Sequence, residues 1–300
     1  MERLEWFATK QLVFRVKAGD FMDLKRLAQI IFAVTMTAVG LIGLIRGSFA
    51  AVWGGVPETL PARESLVYLC ALVAIATGIG MFVKRTAAAA ALGLLIYFSL
   101  WTIAFKVPAI VRHPLVEGPY QSFGENAVLI AAAWALYAHV ARDRQPNFLT
   151  RGAGLRSAYV LYGLALLAFG FSHIAYPDLT IPLVPKWMLW PALWAYLTAA
   201  IYVATGVGLI TGFAARSAAR LAAVQITVIT VLVWGPMVAS GDLTPGHLGE
   251  TIESSALTAG ALVLAMLFRT DSEPSSAAPD RQSSRISFGL RIPTWSSRRS

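Results

Sequence analysis

Two glutamates stand three residues apart near the end of the chain, Glu250 and Glu253, and on a helix that spacing puts both carboxyl groups on one face. Such a pair, joined by an imidazole such as His173, could bind a metal ion or exchange protons with a bound quinol. Gly249-Glu250 opens its apolar stretch as Gly124-Glu125 opens an earlier one, so Glu125 joins the set. Lys106, His113 and Glu117 lie near Glu125 in sequence, while Asp178 and His247 accompany the later group. Trp187, Trp190 and Trp234 add flat apolar faces that can stack on a ring or sit at a membrane surface. Each has a plainer role as well. Glu125 and Glu250 read equally as first-turn acids that complement a helix dipole. The histidines read as hydrogen bonders at the membrane interface and the tryptophans as an aromatic belt. The loose spacing matches no metal-binding motif, and no metal is expected.

The elements that must position these residues are membrane helices. The composition is 57% apolar and 14% charged with mean hydropathy +0.62, too little polar surface to clothe 300 residues in water. The apolar residues fall in eight blocks, each approaching the ~20 residues that cross a bilayer core. They are Leu27–Ile45, Ser65–Val83, Thr86–Phe105, Asn126–Ala141, Ser157–Tyr176, Leu189–Thr211, Ser217–Ala239 and Thr251–Phe268. Only helices satisfy their own backbone in lipid, and the alternating polar residues of a barrel are missing. Of the 25 Lys and Arg, twenty fall before Leu27, in alternate joins and in the C-terminal tail. That asymmetry places both termini in the cytoplasm and explains the +9 charge without nucleic acid. The bilayer is the partner that composition implies. Cys70, alone, lies in an apolar run and forms no internal disulfide.

The chain also resembles itself. Val184 to Gly208 matches Val56 to Gly80 without a gap, sharing Val-Pro, Tyr-Leu and Ala-Thr-Gly-x-Gly at an offset of 128. Pro236 follows Pro108 at the same offset. Four spans per unit is an even number, so the two units run in the same sense, as parallel repeats. The organisation expected is a basic cytoplasmic lead-in over 1–26 and a first four-helix unit over 27–141. A cytoplasmic linker over 142–156 leads to a second unit over 157–268 and a disordered basic, Ser-rich tail over 269–300. The coherent part begins at Met22, so the lead-in is either an interfacial helix or sequence ahead of the true start.

Several residues carry a more specific likeness. Gly170, Ser172 and His173 are followed by Val184-Pro185-x-Trp187, Trp190-Pro191, and Trp194-x-Tyr196-Leu197, then Gly206 and Gly208. This pattern resembles the DoxX-like family of integral membrane proteins, whose unit is a four-helix membrane domain. The chain looks like two such units in tandem. The resemblance implies a multi-pass protein of the bacterial inner membrane, associated with quinone-linked redox partners or with further copies of itself. The acidic residue that many members carry before the helix-2 glycine is replaced by Ala74 and Tyr202.

The expectation is therefore an all-α polytopic membrane protein of eight helices, with no catalytic residue assigned. Its function is that of an accessory subunit of a redox system, holding a quinone or similar amphiphile at its outer side. A passive small-solute transporter and a ligand-free scaffold are the alternatives. Haem is not expected, since no two histidines face each other across the core. No charge falls in the middle third of an expected span, against an ion-coupled pump. Gln225, deep in the seventh block, is expected to make an interhelical hydrogen bond.

Overall fold

The computed structural model describes residues 2–142, 144–241 and 244–268, with no side-chain placement for 2–23, 51 and 245; the expected disordered tail lies outside the described residues. The ordered elements are helical, and no strand occurs among the described residues. Helix α1 (Glu2–Arg46) is followed by α2 (Arg63–Phe82) and α3 (Ala87–Trp101). A π-helical turn, Thr102–Lys106, carries α3 into α4 (Val107–Arg112), and α5 (Glu117–Ala141) returns. Then come α6 (Gly152–Ala175), the short α7 (Pro177–Thr180), α8 (Pro191–Thr211) and α9 (Ala215–Ile229). A second π-helical turn, Thr230–Trp234, leads to α10 (Gly235–Ala239) and finally to α11 (Pro245–Leu267).

Seven of these segments are long and apolar enough to cross a bilayer: Leu24–Arg46, Arg63–Phe82, Ala87–Arg112, Gly152–Ala175, Pro191–Thr211, Ala215–Ala239 and Gly246–Leu267. Their outward faces carry exposed Leu72, Ile79, Leu100, Leu193, Val224 and Val231. Apolar side chains displayed in this number suit a hydrocarbon solvent, and the chain is a helical polytopic membrane protein. Helix α5 is different: from Gly124 to Ala133 every residue is buried. It packs against α3, α6 and α11, while α11 packs against α1, α5 and α9. These two helices form the centre, and the more lipid-exposed α2 and α8 flank it.

Several boundaries recur 128 residues apart. Helices α3 and α9 begin at Ala87 and Ala215, and the π turns begin at Thr102 and Thr230. Helices α5 and α11 begin at Glu117 and Pro245. Ala62 and Trp190, the residues ahead of α2 and α8, both hold a left-handed backbone, with φ of 57° and 55°. Few non-glycine residues adopt that conformation, so its recurrence at one offset is a structural coincidence of some weight. Glycine shapes the packing in the same register. A Cβ on Gly78 of α2 would lie 2.9 Å from Ala33 O of α1, and one on Gly206 of α8 would lie 2.8 Å from Gly163 O of α6. The missing side chains let each helix pair approach to backbone contact.

Prolines explain where the expected boundaries fail. The segment Val107 to Gly124 reads as a loop, yet helix continues through Pro108 to Arg112 and resumes at Glu117. Pro108 offers no amide to the turn before it and its ring crowds the carbonyl four residues earlier; the wide π turn absorbs both defects. Pro119 sits in the first turn of α5, where an amide would lack an intrahelical partner anyway. The fourth and eighth helices accordingly start earlier than Asn126 and Thr251. Glu125 and Glu250 are therefore not first-turn acids: α5 has Glu117 there, and α11 has none.

Candidate functional site

The π turn that follows α3 places Lys106 inside the bundle, where it is 1% exposed. Across from it stand Glu125 on α5 and Glu253 on α11, 9% and 8% exposed. These two residues are themselves 128 apart, so the central helices contribute one carboxyl each from corresponding positions. The carboxyl groups hydrogen-bond to each other, and the Lys106 ammonium acts on both through its charge. Two carboxyl groups in such contact hold a proton between them, since a doubly ionised pair would set like charges side by side. Lys106 Nζ donates to Ser122 Oγ, and Gln121 Nε2 donates to Glu125 Oε1 at 3.0 Å. Glu253 Oε1 is buried and meets no hydrogen-bond partner.

The unpartnered oxygen faces a cavity of about 270 Å³. Gln121, Glu125 and Glu253 form its floor, with Glu250, an exposed residue one turn earlier on α11, nearer the chain-end side. Phe169 and His173 of α6, Trp194 and Tyr202 of α8, and Ile226, Ile229 and Trp234 of the α9 segment make the walls. Pro185 and Met188, from the loop before α8, cover part of it. His173 Nδ1 donates to Phe169 O at 2.9 Å, which leaves Nε2 as an acceptor, and the ring stands edge-on to Tyr202 at 5.7 Å. Ser172 donates to the Glu117 carboxylate and Tyr176 to Leu115 O at 3.1 Å, tying the end of α6 to the start of α5.

Hydrogen bonds behind the walls repeat in the same register. Asn126 Nδ2 donates to Thr102 Oγ1 at 3.3 Å, and Thr230 Oγ1 donates to Ser254 O at 3.2 Å, residues 128 later. Gln225 Nε2 donates to Thr198 O at 2.9 Å, the interhelical bond expected of it. At the corresponding place Cys70 and Tyr97 pair at 3.2 Å. The scaffold thus uses equivalent points to join equivalent helices.

Of the residues singled out from sequence, Glu125, His173, Trp234, Glu250 and Glu253 line this one cavity. Trp187 and Trp190 are 69% and 72% exposed and lie outside its lining, and so does His247. Reading the sequence placed Lys106 with the outer groups, whereas it is fully buried. Gln121, Trp194 and Tyr202 were not nominated. Tyr202 carried a signal, since it occupies the place where many DoxX-like members have an acid. Among the described residues, no group of three His, Cys, Asp or Glu is arranged to hold a metal ion. Comparison with family models, curated proteins and solved structures finds no match for the chain.

Proposed function

We propose that this protein is a duplicated, DoxX-like eight-helix bundle with both ends cytoplasmic, holding a small amphiphile in an outward-facing pocket of its second unit. Recurrence of helix starts, π turns, left-handed caps and hydrogen bonds at one offset supports the duplication. The single observation that carries the binding reading is the cavity itself: apolar and aromatic walls over a floor of carboxyl groups, one oxygen of which has no partner. Ligand pockets in proteins combine apolar lining with a few convergent polar groups in this way. Ionisable side chains buried in a membrane bundle are costly and mark function rather than support.

Within that reading the role is accessory: the bundle presents a ligand to membrane partners and does no bond chemistry of its own. The resemblance makes a quinone the first ligand to try and a quinone-linked redox system the setting. Mass spectrometry of lipids, quinones and proteins retained after gentle extraction tests this. Enrichment of one small amphiphile, lost when Ile229→Trp fills the cavity, is the expected result. A liposome flux assay separates the proposal from passive conduction of a neutral solute, and an empty pocket that binds nothing would leave only a scaffold.

A further inference from the structure

The cavity lining contains three carboxyl groups, Glu125, Glu250 and Glu253, and not one Lys or Arg side chain. Its histidine turns its donor nitrogen to a backbone carbonyl and keeps an acceptor. The unpartnered buried atom is likewise an acceptor, Glu253 Oε1. A quinone presents only carbonyl oxygens, which would meet more acceptors here. An occupant with N–H donors and positive charge would instead satisfy Glu253 and lie among Phe169, Trp194, Tyr202 and Trp234, whose ring faces attract cations.

From this we infer that the pocket's ligand is a hydrophobic amine bound in its ammonium form, seated on Glu253, and that its entry expels the proton held between Glu125 and Glu253. The inference rests on the pocket reading above and replaces the quinone as the occupant. Charge balance dictates the exchange. With one proton on the carboxyl pair, Lys106 and the pair together are neutral. An ammonium arriving without proton loss would leave a net charge buried in a lipid-embedded bundle, which is expensive. Releasing the proton to the solution at the mouth restores neutrality, with no bond made or broken beyond that O–H.

The other charged groups around the cluster are few. Lys106 comes from the π turn, Glu125 from α5, and Glu250 and Glu253 from α11. His173 comes from α6, with Glu117 acting on it. The facing parts of α8 and α9 contribute Trp194, Thr198, Tyr202, Thr230 and Trp234, none of them charged at neutral pH. Glu250 stands in the lining of a second cavity too, beside Arg46 and Phe49 on the other side of α11. That position suits it to draw a cation in and not to bind it finally.

The test uses the full chain in nanodiscs and calorimetry with three probes: adamantan-1-amine, the neutral adamantan-1-ol, and a short-chain ubiquinone. Titration in two buffers of different ionisation enthalpy counts protons. The amine should bind at least about tenfold tighter than the alcohol and release about one proton per molecule bound. Its affinity should rise about tenfold per pH unit while the pair still holds its proton. Glu253→Gln should abolish the proton release, and Glu250→Gln should keep it while slowing association. Equal binding of amine and alcohol, amine binding without proton release, or binding of the quinone alone would overturn the inference and leave the pocket reading standing. Failure of all three probes to bind would overturn both. The amine-against-alcohol comparison and the proton count need only the unaltered chain, so a variant that fails to fold does not blunt the test.

Discussion

The two halves of this bundle share a frame and differ in what fills it. In the first half Trp53, 1% exposed, stacks on Phe98 at 4.5 Å and stands edge-on to Trp101 at 5.4 Å and Tyr97 at 5.2 Å. Trp101 in turn packs on Phe105 at 4.6 Å. At positions 128 residues later stand Ile181, Ile226, Ile229, Gln225 and Val233, all smaller. The second half has its cavity where the first has its aromatic plug. Exchanging rings for aliphatic side chains, with the helices held apart by the same backbone contacts, leaves volume that the wall cannot collapse into. A binding site can thus arise by subtraction, and one half can stiffen the other.

A second difference is charge. Lys106 and Trp234 follow the two π turns at equivalent places, so a cation occupies one half and an indole the other. The first half supplies the counter-charge for a carboxyl pair whose second member faces the cavity of the second half. The largest effect should come from breaking this division. Lys106→Met leaves the buried carboxyl pair without its cation and should cost about 4 kcal/mol, as loss of one partner of a buried charge group does. Thermal unfolding in nanodiscs measures it, and acid should recover part of the loss by adding a second proton to the pair. An unchanged transition would mean that Lys106 does not balance the pair.

Hollowing the filled half comes next. Trp53→Ala should destabilise by about 3 kcal/mol, the range for deleting a large aromatic from a packed core. It should leave binding in the other half intact, and a variant that loses ligand with no loss of stability would contradict the separation of roles. Smaller is the cost of pushing apart the helices both halves share. Gly206→Ala sets a Cβ against Gly163 O and should cost about 1–3 kcal/mol. Gly78→Ala, set against Ala33 O, should cost a similar amount. Unequal costs would show that the halves are not held alike. Last, Ile229→Trp copies the residue of the filled half into the hollow one. It should raise stability by about 1 kcal/mol, as cavity filling commonly does, and abolish ligand binding in the same calorimetric assay.

Much of this was legible in the residues. The offset of 128 is visible in Val56-Pro57 and Val184-Pro185, and Gln225 declared its hydrogen bond by being polar where lipid surrounds the helix. Other features were misread for identifiable reasons. Pro108, His113, Pro114 and Pro119 crowd one stretch and look like a loop, but a π turn and a helix first turn each accommodate a proline. Shortening α5 and α11 in that way brought Glu125 and Glu250 to apparent helix starts. The shared Gly-Glu dipeptide then paired Glu125 with Glu250, an offset of 125, although the frame of 128 pairs it with Glu253. A local match of two small, common residues was preferred to a register held over many turns.

Composition and spacing by themselves settled that the chain is helical and lives in lipid, because hydropathy and charge act through each residue's own transfer from water. They also named most of the polar groups around the cavity, since polar side chains stand out against an apolar background. Only the tertiary structure decided that Lys106 turns inward and that Glu125 and Glu253 touch. It alone showed that one half is plugged by Trp53 while its counterpart is open. These depend on the rotation of each helix about its axis and on volumes summed across helices, and no single stretch of sequence carries either quantity.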